Sequence, residues 1–225
     1  MPTLHLLRVF CGDGDSGGNP VAVFLDGASV PAEARQRMAA ELGLAETVFV
    51  DDAARGEIRI FTPAVELDFA GHPAVGTAWL LAECRAPVET LRPPAGEAAV
   101  RYEDGAPFVV GRPEWGPPWD FEQLGSPEEV EALDGPPGGH DLVGAWAWLD
   151  ETAGTVRARV FGLRVGVAED EATGSAAIRL CSRLSRELDI RQGRGSRILV
   201  RPLADDWVEV GGRVVLDERA EHPLH

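Results

Sequence analysis

Two stretches of the chain combine residue types and spacing suited to chemistry on a small anion. In the first, DFAGHPAVGTAWLLA at residues 68–82, a strand-like run over 66–70 breaks at Gly71-His72-Pro73 and a helical pattern follows at once. Pro73 suits a first helical turn, where its missing N–H costs nothing and its fixed φ already fits. Val75, Ala78, Trp79 and Ala82 recur at helical spacing and are expected to form the buried face. A helix that starts this way leaves backbone N–H groups and a partial positive charge at its end, a seat for a carboxylate. The second stretch, EDEATGSAAIRLCSRL at 169–184, repeats the device. There Thr173-Gly174-Ser175 opens an amphipathic helix expected over 173–188.

The elements in front of these helices are repeated as well. ETVFVDDAARGEIRIF from Glu46 matches GAWAWLDETAGTVRARVF from Gly144, and residues 46–59 lie on 144–157 without a gap. Gly56 pairs with Gly154, Ile58 with Val156 and Arg59 with Arg157, after which a two-residue insertion brings Phe61 over Phe161. The chain therefore reads as an internal duplication of a strand–turn–strand–strand–helix unit.

Composition narrows the function classes. The chain has 225 residues, 44% of them hydrophobic, enough for one large domain or two small ones. No apolar run approaches the roughly 18 residues of a membrane span. The N-terminus lacks the basic-then-apolar pattern of a signal peptide, so a cytoplasmic protein is expected. Cys11, Cys84 and Cys181 show no CxxC spacing and indicate neither a disulfide framework nor a metal site. The net charge of −16 argues against nucleic acid and anionic membrane as partners.

Taken in order, strands are expected at 4–10 and 21–25, separated by the turn cluster CGDGDSGGNP. A helix follows over 31–42, with Met38, Ala39 and Leu42 inward and Gly43 as its stop. Strands at 46–50 and 58–61 flank a turn, and further strand-like runs lie near 88–91 and 98–102. Residues 107–111 read as a strand or as the crossing between halves. Residues 112–141 are rich in Pro and Gly, with only a short helix opened by Ser126 as N-cap. Strands at 143–149, 155–160, 198–201 and 207–210 complete the second half, and His222 and His225 belong to a polar tail. The expected class is α+β, each half a curled, mostly antiparallel sheet around a central helix, divided as 1–108 and 109–225, with a last strand able to return to the first.

Five motifs carry a family resemblance: GNPVAVF (18–24), AETVFV (45–50), FTPAVELDFAGHPAVGTA (61–78), EDEATGSAA (169–177) and QGRGSRILV (192–200). Together, in this order, they resemble the phenazine-biosynthesis PhzF-like family, which shares the diaminopimelate epimerase fold. The resemblance implies two pseudo-symmetric domains, an active site in the cleft between them, a homodimer and no cofactor.

Racemases of this fold use a cysteine at each helix start. Here those places fall on Ala70 and Thr173, so a two-thiol mechanism is not expected. Cys181 and Cys84 read as small packing residues, and the role of Cys11 stays open. What remains is a carboxylate. By resemblance Glu46 is the proton-shuttling acid of an isomerase acting on a small carboxylate-bearing metabolite; without the family it reads as a solvated strand-start acid. His72 and Asp170 are implied as its catalytic companions. Gly71, Pro73, Thr173, Gly174 and Ser175 are implied to bind substrate. Asn19 is counted with them, although fixing the GNP turn suits it better. The family usually has Pro where Glu171 stands, which adds a charge beside the anion seat, and the region 112–141 is short. Both features favour an alternative, a binding protein without turnover. Trp115, Trp119, Trp146 and Trp148 read as pocket walls or as core.

Overall fold

The structure is a computed structural model describing residues 2–221, apart from the side chain of Val165. His222 and His225 lie outside the described residues. Backbone contacts divide the chain into two compact units, one built from 2–9, 20–109 and 213–221, the other from 10–19 and 110–212.

In chain order the elements of the first half are β1 (Thr3–Cys11), β2 (Gly17–Phe24), α1 (Ala32–Leu42), β3 (Glu46–Asp52), β4 (Glu57–Phe61), β5 (Glu66–Leu67), α2 (Gly71–Glu83), β6 (Thr90–Leu91), β7 (Ala98–Glu103) and β8 (Ala106–Gly111). The second half follows with β9 (Asp120–Gln123), α3 (Pro127–Glu131), β10 (Val143–Asp150), β11 (Thr155–Gly162), β12 (Val167–Asp170), α4 (Gly174–Leu184), β13 (Leu188–Gln192), β14 (Ser196–Pro202), β15 (Val208–Gly211) and β16 (Arg213–Glu221). This is the expected α+β class.

The duplication is visible strand by strand. β2 and β3 run parallel, with Val21 opposite Glu46; β9 and β10 run parallel, with Phe121 opposite Gly144. Each is followed by an antiparallel hairpin with an irregularity at the same place, after Val50 in β3 and after Trp148 in β10. In the ladders Val50 faces Ile58 and Trp148 faces Val156, as the ungapped alignment requires. Each hairpin is extended by an antiparallel strand, β5 on β4 and β12 on β11, with Arg59 paired to Glu66 and Arg159 to Glu169. Gly56 and Gly154 close equivalent turns in the left-handed region, at φ 69° and 71°. In that region a side chain is unfavourable, and an added Cβ would also meet a backbone carbonyl in each.

The first unit carries a sheet in the order β16-β1-β2-β3-β4-β5. Phe24, Phe49 and Phe61 fill the space under α1 with Met38 and Ala39, the Phe24 and Phe49 rings stacked 5.2 Å apart. Gly43 ends α1 in the left-handed conformation. In the second unit the order is β15-β14-β13-β11-β10-β9, with β12 on β11.

Several expectations need correction. α2 is buried from Gly71 to Ala78 and again at Leu80 and Leu81, whereas Trp79 and Ala82, assigned to its inner face, are only half-buried. A helix surrounded by a curled sheet has no single apolar stripe, so periodicity misassigns its faces. α4 stops at Leu184, because Ser185 turns left-handed and Leu188 already opens β13. β5 is two residues long rather than spanning 66–70, and β6 begins only at Thr90. Gly17–Pro20, read as turn, belongs to β2. β9 within 112–141 and the nine-residue β16 have too little apolar alternation to be read beforehand. Cys84 is exposed at the end of α2 and packs in no core.

Gly76 sets how closely α2 approaches its sheet. A Cβ there would lie 2.8 Å from Val9 Cγ2 and 3.2 Å from Val21 Cγ1. Gly76→Val is therefore expected to cost about 1–3 kcal/mol by overpacking, read as a lowered urea midpoint.

Candidate active site

Each unit has a cluster of polar side chains at the start of its own central helix. In the first, Glu46 opens β3 and its carboxylate reaches His72, the second residue of α2, with Oε2 3.2 Å from Nε2. The His72 side chain is 5% exposed and that of Glu46 17%, so the pair is largely shut off from water. Burial pushes His72 down to about 3, only partly opposed by its hydrogen bond to the Pro20 carbonyl. The imidazole is therefore neutral at any physiological pH. Pro73 follows without an N–H, and Ala74 N donates to Ala70 O as the first helical bond. Thr77 Oγ1 donates to the Pro73 carbonyl at 2.8 Å, which ties the turn down further.

In the second unit the polar cluster is denser. Asp170 ends β12, and both of its carboxylate oxygens accept: Oδ1 from Asn19 Nδ2 at 2.7 Å, Oδ2 from Thr173 Oγ1 at 2.6 Å. The second hydrogen of the Asn19 amide goes to Ala172 O at 2.8 Å. Gln192 holds the other side. Its Nε2 donates to Asp170 O at 2.9 Å and to Thr173 Oγ1 at 3.0 Å, and its Oε1 accepts from Thr173 N at 3.3 Å. Because Thr173 Oγ1 receives Gln192, its own hydrogen is directed to Asp170, and the residue makes no side-chain cap on α4. The first N–H groups of α4, at Gly174 and Ser175, accordingly have no partner inside the helix.

Asp170 keeps some exposed area, but protein packs densely around its carboxyl and desolvation pushes it up to about 6. The hydrogen bonds from Thr173 and Asn19 oppose that rise. A folded pKa above the unfolded one means that the native state binds the extra proton. Stability from this group is thus present below about pH 4 and lost as pH rises through about 6. Relative to the parent, Asp170→Asn is expected to gain stability between pH 4.5 and 7.5. The gain should be roughly tenfold in unfolding constant, discounted for the exposed part of the group, and checked by urea denaturation at both pH values.

The remaining residues sort by contact. Ser175 Oγ receives the indole N–H of Trp119 at 3.0 Å. Asn19 holds Asp170 and Ala172 and is buried. Glu171, expected to charge the anion seat, is turned onto the β13–β14 turn: its carboxylate accepts from Arg194 N at 2.8 and 3.0 Å and from Ser196 Oγ at 2.8 Å. Gln192 and Trp119 were not singled out as site residues from the sequence. For Gln192 a signal existed, since it takes the inward register of Leu188 and Ile190 in β13, where a polar side chain must find partners. Trp119, inside an aperiodic segment, reads from the sequence only as a pocket wall or a core residue.

The helix starts hold no thiol. Ala70 and Thr173 occupy the two N-cap positions. Cys181 is buried within α4 and pushed up to about 12 by burial, far from a reactive thiolate. Among the described residues no three His, Cys, Asp or Glu converge as metal ligands do, and no helix is long and apolar enough to cross a membrane.

Comparison with known proteins gives a consistent result. The profile of the phenazine biosynthesis-like protein family matches residues 9–107. A trans-2,3-dihydro-3-hydroxyanthranilate isomerase of Pseudomonas aeruginosa is 34% identical, over 91% of this chain and 85% of that protein. The isomerase of the same name from Pseudomonas fluorescens is 32% identical over the same shares. Among solved structures, a phenazine biosynthesis PhzC/PhzF protein from Clostridium difficile superposes with a TM-score of 0.80 at 20% identity, covering 99% of this chain and 100% of that one. A proline racemase from Agrobacterium radiobacter gives 0.65 at 11% identity, covering 100% and 94%. Those two likenesses speak for the fold alone. The sequence identity maintained along nearly the whole chain carries the assignment further: the chain belongs to the phenazine biosynthesis-like, PhzF-type family of isomerases.

Proposed function

We propose that the protein is a cofactor-independent isomerase that moves a proton between two carbons of a small carboxylate-bearing metabolite, with Glu46 as the acid and base. The closeness of Glu46 to a neutral His72 is the observation that carries this reading. With the ring hydrogen given to the Pro20 carbonyl, the nitrogen facing Glu46 is an acceptor. The Glu46 carboxyl lies 3.2 Å from that nitrogen. Placed beside His72, Glu46 acts in its acid form as donor and in its carboxylate form as acceptor. Such an acid gives its proton to one carbon, and the resulting carboxylate takes one from another, so substrate and product differ only in proton position. Asp170, held by Asn19, Thr173 and Gln192, serves as a second fixed acid–base group. The amides of Gly174 and Ser175 and the Ser175 hydroxyl hold the substrate carboxylate, and Gly71 and Pro73 shape the turn that places His72.

The substrate of the two Pseudomonas relatives, trans-2,3-dihydro-3-hydroxyanthranilate, has the required chemistry and is the first compound to test. The binding-protein alternative draws on Glu171 and on the short 112–141 segment. Glu171 gives it no support, because its carboxylate is consumed by the β13–β14 turn. The family resemblance also implies a cytoplasmic homodimer, for which sedimentation equilibrium would return twice the 24.1 kDa chain mass.

The test is incubation with that dihydroanthranilate in D₂O, followed by proton NMR. The product should carry solvent deuterium at one carbon, and Glu46→Gln should neither form product nor exchange. Product formation that survives the substitution undiminished would overturn the role of Glu46.

A further inference from the structure

The segment around Gly116 lies against the start of α4. Gly116 packs so closely that a Cβ there would come within 2.7 Å of Ser175 Cβ. Three residues on, Trp119 is 6% exposed and shares a core cluster with Leu142, Val160 and Ala176. Its backbone N–H donates to Pro117 O at 2.8 Å, and Pro117-Pro118 restrict the approach. The indole is thereby fixed with its N–H on Ser175 Oγ, 3.0 Å away.

The consequence for Ser175 follows from what each group can offer. An indole N–H only donates, whereas a hydroxyl has one hydrogen and two lone pairs. With Trp119 occupying one lone pair, the geometry favours sending the Ser175 hydrogen elsewhere. The adjoining helix-start amides are donors too, and Asp170 is turned onto Asn19 and Thr173. The seat then presents hydrogens.

We propose that Trp119 is a specificity-determining positioning residue: its indole N–H fixes the Ser175 hydroxyl as a donor, so that this seat prefers a group that only accepts hydrogen bonds, a carboxylate over its amide. This rests on the assignment of the α4 start to the substrate carboxylate under the proposed function.

The test uses the full chain, with anthranilate and its primary amide as probes, and Trp119→Phe, Ser175→Ala and the double variant. Binding is followed by ligand-observed NMR, which does not depend on the tryptophan removed or on turnover. The parent should bind anthranilate at least about tenfold more tightly than the amide, as loss of a charge-assisted hydrogen bond implies. Trp119→Phe should lose most of that preference. On the Ser175→Ala background Trp119→Phe should change it no further, which a merely structural role for the ring would not produce. In ¹⁵N-tryptophan-labelled protein the Trp119 indole hydrogen should exchange with solvent at least about tenfold faster once Ser175 is Ala. A carboxylate preference unchanged in Trp119→Phe, or single-variant effects that multiply in the double variant, would overturn the proposal. An intact, Trp119-dependent preference without turnover of the dihydroanthranilate would support it and count against the isomerase substrate instead.

Discussion

Glu46→Gln is expected to lower isomerase turnover by about 10²–10⁴-fold, the usual contribution of a positioned acid–base group. The substitution is nearly isosteric, and its amide stays beside the His72 nitrogen 3.2 Å away, so the β3–α2 contact survives. What the amide cannot do is release a proton to carbon or collect one. The loss should therefore fall on kcat with KM little changed, because the substrate carboxylate is assigned to α4. A thermal melt within a few degrees of the parent's would separate this from unfolding. Retention of more than a tenth of the parental kcat would rule Glu46 out as the shuttle and move attention to Asp170.

The second large effect tests the duplication as a physical property. Gly56→Ala and Gly154→Ala are each expected to destabilise by about 2–4 kcal/mol. Two causes add at both positions. Each glycine is left-handed, where a Cβ costs roughly 1–2 kcal/mol. Each also faces a backbone carbonyl: a Cβ would stand 2.2 Å from Thr90 O, in β6, at Gly56 and 2.6 Å from Glu187 O, just before β13, at Gly154. The backbone must yield in both cases, more at Gly56. Urea unfolding of the two variants should show comparable losses, with Gly56→Ala the larger. A loss below about 1 kcal/mol at either position would mean that the turns are not equivalent constraints.

Local order proved most legible where a residue type has one structural use. Gly43, Ser126 and the Gly56–Gly154 pair mark a helix stop, a helix cap and two turns, because few residues tolerate those conformations or supply that hydrogen bond. The ungapped alignment of 46–59 with 144–157 is reproduced in the ladder register, since a hairpin's pairing is set by its own turn. Buried α2 shows the limit. Its sequence has too little polarity to show which side faces out, and the face chosen by spacing held Trp79 and Ala82, the less buried residues.

From the sequence alone came the α+β class, the two helix starts, the absence of a thiol at either and the candidate acids. Their local character explains this: motifs, caps and turns are encoded within a few residues of where they act. Tertiary structure alone decided the company those residues keep. Gln192 reaches Asp170 across 22 positions, Trp119 reaches Ser175 across 56, and Asn19 reaches Asp170 across 151. Nothing in local spacing encodes such pairs. They form because buried polar groups must find partners wherever the packed strands and helices bring them, and that requirement turned Glu171 away from the helix start and onto the turn at Arg194.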